Sequence, residues 1–167
     1  SNKMTVSKFK KGDFIVKSGE TFDRIHLVRK GLVRGYFAFK NTEVTTWVGV
    51  DSDLVASMSG YINKTPSLEN VQCIEDTVTE SLSADDFDYA LKNYIDMNRL
   101  YRTIMERYYL FAEHRVFLSR IPRAIDRYHY FLKIYSNEVV KRLPKKYLAS
   151  LLNIRPETLS RLDLEGF

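Results

Sequence analysis

Up to about Leu82, short runs of β-branched and aromatic residues alternate with glycines at positions 12, 19, 31, 35 and 49. The runs cover residues 14–16, 25–28, 32–33, 36–37, 44–48 and 71–74. Short strands at regular spacing with glycine turns predict a sandwich or barrel. Residues 25–28 and 71–74 can each face a core on alternate positions. From Ser83 the pattern changes to a helical one. Ser83 reads as an N-cap with Asp85 and Asp86 in the first turn, and no Gly or Pro follows until Pro122. The spacing predicts a short helix and then a long one. Tyr94, Met97, Tyr101, Ile104, Tyr108, Phe111 and Leu118 form a heptad-like seam. A second stripe, Leu91, Ile95, Met105, Tyr109, Ala112 and Val116, is expected to face the β domain. A helix apolar on two sides needs two partners. One is its own domain; the other is a second chain, the reading preferred here, or the interior of the monomer.

The remainder reads as short helices. Pro122 is expected in the first turn of one that carries Ala124, Ile125, Tyr128, Phe131, Leu132 and Tyr135 at helical spacing. Pro144 and Pro156 mark two further starts. Between them lies the spacing of a helix-turn-helix. Ala149 is small where the second helix would cross the first, and Leu148, Leu151 and Leu152 flank it. Asn153 tolerates the positive φ that the turn demands. Ile154 tucks the turn inward, and Leu159 and Leu162 anchor the second helix. Arg155, Glu157, Thr158, Ser160 and Arg161 are left on the exposed side, types that suit base edges and phosphates. Lys145 and Lys146 begin the first helix and suit phosphate contacts.

Charge follows the same division. Residues 1–87 carry 11 Lys+Arg against 12 Asp+Glu, whereas residues 88–167 carry 15 against 9. The window 120–162 holds 10 basic and 3 acidic residues, a basic footprint that fits a polyanion such as double-stranded DNA. The hydrophobic share of 44% in 167 residues is enough for one or two small cored domains. No run approaches the ~20 apolar residues of a membrane span. Residues 1–11 hold no apolar signal core, so a cytoplasmic location is expected. The single cysteine, Cys73, excludes an internal disulfide and a cysteine-held iron–sulfur cluster within one chain. His26, His114 and His129 are isolated, and no haem or metal is expected. No catalytic motif occurs: no nucleophile elbow, no metalloprotease helix and no phosphate-cradling glycine loop. The chain is therefore not expected to be an enzyme.

From about Phe9 to Leu162 the sequence resembles the Crp/Fnr family of bacterial transcription regulators, the cyclic-AMP receptor protein family. The resemblance rests on Lys11-Gly12-Asp13, Gly19, residues 23–25 and 28–33 as the first strands. Pro66-Ser67 and residues 74–77 resemble later strands, in the style of Bacteroidetes members. Residues 155–161, Arg-Pro-Glu-Thr-Leu-Ser-Arg, resemble the family's recognition helix. The resemblance implies an α+β fold: an N-terminal β-roll (a jelly-roll or double-stranded β-helix) over residues 1–87, a long dimerisation helix over 88–118, and a helix-turn-helix domain over 119–167. It implies a homodimer that binds DNA, with base contacts from Glu157 and Arg161, and RNA polymerase as a further partner.

Two departures alter what is expected. Nucleotide-binding members carry Gly-Glu and, downstream, Arg-Ser or Arg-Thr. Here Ala56-Ser57 stands in the first place, and no Arg occurs around Ser67-Leu68-Glu69. A buried phosphate without a cation is costly, so tight cyclic-AMP binding is not expected. Ser57, Ser59, Glu69 and Asn70 either line a pocket for an unknown small-molecule effector or satisfy a loop. The family's β-hairpin wing is also expected to be absent or truncated after Asp163, and the usual N-terminal helix to be lacking. The alternative to a regulator is a β-roll ligand-sensing or protein-interaction dimer whose helix-turn-helix no longer reads DNA.

Overall fold

The computed structural model describes residues 4–21 and 23–164, the side chains of 163 and 164 excepted. The stretch where a wing was in question, from 165 on, lies outside them. Eight strands occur among the described residues: β1 (Thr5–Phe9), β2 (Phe14–Val16), β3 (Arg24–Lys30), β4 (Leu32–Phe39), β5 (Thr42–Val50), β6 (Leu54–Val55), β7 (Asn70–Cys73) and β8 (Thr77–Ser83). They form two four-stranded sheets, β1-β8-β3-β6 and β2-β7-β4-β5. Every strand pair is antiparallel. The expected β-rich N-terminal roll is thus present, followed by helices in an α+β arrangement.

Val16, Val28, Val33, Val55, Val71 and Cys73 fill the space between the sheets. Strand β8 is different, because its buried positions are Thr77, Thr79 and Ser81. Each hydroxyl has a partner. Thr77 Oγ1 donates to the Glu75 carbonyl at 2.9 Å, Thr79 Oγ1 lies 3.0 Å from His26 Nδ1, and Ser81 Oγ accepts from Arg24 Nε at 2.9 Å. Burial of paired hydroxyls is tolerated where unpaired ones would be costly. Gly35 sits where the β4–β5 register shifts. A Cβ there would lie 2.1 Å from the Trp47 indole, so the ring lies against bare backbone.

Helix α1 (Met58–Asn63) follows β6, and α2 (Ala84–Asn93) starts on Ser83, whose side chain accepts from the Asp86 N–H as expected of an N-cap. Helix α3 (Ile95–Arg120) is the long one. Its two faces are exchanged from expectation only in part: of the stripe expected to meet the β domain, Leu91 on α2 does pack on the roll and Met105 lies on the roll side, while Tyr94 and Tyr108 of the seam are exposed. Met97 and Tyr101 pack on the cluster of Ile25, Tyr61 and Phe87 in the roll. Ile95, Tyr109 and Val116, from the stripe expected to meet the β domain, are exposed, together with Leu100, Leu110 and Phe117. Periodicity defines faces, not which neighbour each one meets.

Helices α4 (Ala124–Ile134), α5 (Asn137–Arg142), α6 (Lys145–Leu151) and α7 (Pro156–Leu164) complete the described chain. Pro122 precedes the N-cap Arg123 of α4 rather than lying in its first turn, and Pro144 is itself the N-cap of α6. Helix α5 was not expected; Ser136 caps it, its Oγ accepting from the Val139 N–H. A core of Leu118, Tyr128, Phe131, Leu143, Leu148, Leu152 and Leu159 holds these helices. Leu32 and Ile74 from the roll join the same core.

Candidate functional site

The pair α6 and α7 is built by the residues that its spacing singled out. Ala149 is 1% exposed, and Leu152 and Leu159 are fully buried around it. Asn153 adopts φ 51°, the left-handed conformation that closes α6. The Asn153 and Ile154 N–H groups donate to the Ser150 and Ala149 carbonyls, both at 3.0 Å. Arg127 of α4 braces the turn from outside: its Nη2 donates to the Asn153 carbonyl at 3.3 Å and its Nη1 to the Ile121 carbonyl at 2.7 Å.

This packing leaves one side of α7 facing outward. Arg155, Glu157, Ser160 and Arg161 are exposed and Thr158 is half-buried. Ser160 Oγ donates to its own helix, to the Pro156 carbonyl at 3.1 Å. Lys145 and Lys146 are exposed in the first turn of α6. Two cations there oppose the helix dipole, so helix stability does not explain them.

The opposite side of α6 docks on the roll, through residues that the sequence did not single out. Ser150 Oγ accepts from the Thr45 N–H at 2.9 Å and donates to the Glu43 carbonyl at 3.3 Å. Arg34, 2% exposed, is sandwiched between the Tyr36 and Tyr147 rings, 4.0 and 3.8 Å from their centroids. Its guanidinium also donates to Gln72 Oε1 at 2.8 Å and to Thr45 Oγ1 at 3.2 Å, and ion-pairs with Glu43. Arg142 of α5 donates to the Gly31 carbonyl at 2.8 Å and ion-pairs with Glu75. Helix α6 is thereby fixed to the roll by neutral hydrogen bonds and a cation–π contact, and α5 by charge-assisted bonds, in addition to the shared core.

The four residues singled out for an effector pocket do not converge. Ser57 is fully buried as the N-cap of α1, accepting from the Gly60 N–H at 3.4 Å. Ser59 is half-buried within that helix. Asn70 Oδ1 accepts from the Ser18 N–H at 3.0 Å, a loop contact. Glu69 lines a cavity; it accepts from Trp47 Nε1 at 2.9 Å, and burial pushes its carboxyl above the usual range. That cavity, of about 330 Å³, lies between the roll and α3 and is walled by Trp47, Met58, Tyr101, Ile104, Phe111 and Tyr135 among others. Nothing local in the sequence marks it, because its wall comes from eight separate elements, β3, β5, β6 and α1 to α5. Asp53 also lines it, with its carboxyl raised by burial and its Oδ2 accepting from the Val50 N–H at 2.8 Å.

Other groups with chemical potential are engaged elsewhere. Burial pulls the His26 imidazole down to about 4 and pushes the Cys73 thiol up to about 11. His114 Nδ1 lies 2.8 Å from the Tyr130 hydroxyl. Among the described residues no group of three or more His, Cys, Asp or Glu is placed to hold a metal ion. None of their helices is long and apolar enough to cross a membrane.

The sequence profile of the family described as cyclic nucleotide-binding domain matches residues 6–94. No curated protein matches the chain. Several solved structures share its fold. FixK2 from Bradyrhizobium japonicum is 18% identical with a TM-score of 0.81, over 97% of this chain and 83% of that one. A CooA mutant from Carboxydothermus hydrogenoformans is 16% identical with a TM-score of 0.79, over 98% and 76%. CLP from Xanthomonas campestris, described as a c-di-GMP-responsive global regulator, is 13% identical with a TM-score of 0.78, over 98% and 86%. At these identities the likeness establishes the fold, and the fold spans both the roll and the helix pair.

Proposed function

Because the chain belongs to the cyclic nucleotide-binding domain family, we propose that it is a Crp/Fnr-type transcription regulator whose α7 reads double-stranded DNA. The observation that carries this reading is the outward side of α7. Leu159 is spent on the core, while Arg155, Glu157, Ser160 and Arg161 stay exposed beside Lys145 and Lys146. Arginines can reach guanine edges, Glu157 can accept from cytosine, and the two lysines suit the phosphate backbone. In this reading residues 1–87 sense, residues 88–118 dimerise and residues 119–167 bind DNA. The exposed apolar residues of α3, Leu100, Tyr109, Leu110, Val116 and Phe117, support pairing with a second copy. A two-fold dimer would present two α7 helices to two half-sites.

The sensed molecule is not cyclic AMP in this reading. Ser57 is consumed as a helix cap, and the carboxylates of Asp53 and Glu69 line the cavity. Fluorescence anisotropy on duplex DNA at increasing salt tests the DNA reading. Affinity should fall steeply with salt, Lys146→Ala should lower the log–log slope by about one, and Arg161→Glu should remove sequence preference. Salt-independent binding, or an Arg161→Glu protein with unchanged preference, contradicts it.

A further inference from the structure

We propose that the cavity between the roll and α3 takes a small, flat, mostly apolar molecule that carries an N–H donor and no phosphate. The proposal rests on reading the roll as a sensor, but it stands or falls without DNA. Its size, about 330 Å³, lies at the small end of ligand pockets. The rings of Trp47, Tyr101, Tyr108 and Phe111 and the thioethers of Met58 and Met105 supply its walls. Aromatic faces suit a planar occupant, and methionines adapt to its outline.

The polar groups select among such molecules. Glu69 Oε2 accepts from Trp47 Nε1 at 2.9 Å, and among the described residues no donor reaches Oε1. That oxygen remains accessible, and a ligand N–H in the cavity can take the place of water on it. The charged side chains of the wall are Asp51, Asp53, Glu69, Arg107 and Arg115, one more acid than base. The bases already act on the acids: Arg107 favours the charged form of Asp53 and Arg115 that of Glu69, while Asp51 lies 3.8 Å from Arg142 outside the wall. A phosphate would have to compete with Asp53 and Glu69 for these arginines, whereas a neutral or cationic N–H would not.

The cavity also touches Ile134, Tyr135 and Val139, on α4, its C-cap and α5. Tyr135 stacks on Phe131, with centroids 4.6 Å apart, in the core that holds α6 and α7. An occupant therefore contacts the roll, the long helix and the helical unit together.

Trp47 is the only tryptophan and lines the cavity, so its indole N–H resonance reports occupancy. The experiment titrates the full chain with indole, N-methylindole, 1-naphthoate and cyclic AMP, by calorimetry and by that resonance. Indole should bind about tenfold tighter than N-methylindole, the worth of one charge-assisted hydrogen bond. It should shift the Trp47 signal, with naphthoate and cyclic AMP weaker still. Glu69→Gln should keep the fold and narrow the indole preference, and the wild-type probe series decides even if that variant unfolds. Equal affinity for indole and N-methylindole, tighter binding of naphthoate or cyclic AMP, or no saturable binding of indole overturns the proposal.

Discussion

Protonation of His26 should destabilise the roll in a defined pH window. The imidazole is 6% exposed, 3.0 Å from Thr79 Oγ1 and edge-on to Phe9. Desolvation, and secondarily the positive charge of Arg24, pull it down to about 4 from 6.5. The unfolded chain thus takes up this proton first, so lowering the pH favours unfolding. The effect is absent above about pH 7, grows as pH falls from about 6.5, and levels off below about pH 4. A separation of roughly 2.5 pKa units corresponds to about 3 kcal/mol, of which about 2 is reached near pH 5. That is a large part of the ~5–15 kcal/mol that holds a typical domain. Urea unfolding followed by Trp47 fluorescence, on wild type and His26→Gln across this range, measures it. Gln can still bond Thr79 but does not titrate, and both proteins share every other ionisable group. The stability difference between them should shift toward the variant by about 3 kcal/mol between about pH 7 and about pH 4. Parallel curves across that window would refute a neutral, buried His26.

Two substitutions test the packing around the proposed sites. Leu159→Ala empties a fully buried position under α7 and should cost about 2–5 kcal/mol in chemical unfolding; a loss below about 1 kcal/mol would mean that α7 is not seated as described. Gly35→Ala places a Cβ 2.1 Å from the Trp47 ring, so it should move the Trp47 emission and destabilise the roll by about 1–3 kcal/mol. An unchanged spectrum would contradict the close approach.

The elements legible in the sequence were those whose buried positions are mostly apolar, His26 on β3 being an exception. Strands β3 and β7 and the pair α6 and α7 announce themselves through spacing, and Asn153 and Ser83 through their conformational and capping preferences. Strand β8 did not, because its buried face is Thr77, Thr79 and Ser81, whose burial depends on partners elsewhere in the chain. Strand β1 is short and largely exposed, and it pairs only along one edge with β8. Docking of α6 on the roll was hidden for another reason. Ser150 and Thr45 are 105 residues apart, and Arg142 and Gly31 are 111 apart. Nothing local marks such contacts. Nothing local marks Arg34 for burial either, because Tyr147, one of the two rings that enclose it, comes from a distant helix. Ser57 and Asn70 drew notice as polar residues in a loop, and the loop itself uses them.

The central claim, that α7 reads DNA sequence, is tested most directly by in-vitro selection from a randomised duplex library, with wild type and Arg161→Glu in parallel. Wild type should enrich a two-fold symmetric sequence with half-sites about one helical turn apart, and Arg161→Glu should enrich none. Failure of wild type to enrich any sequence, or enrichment of the same sequence by both proteins, would contradict it.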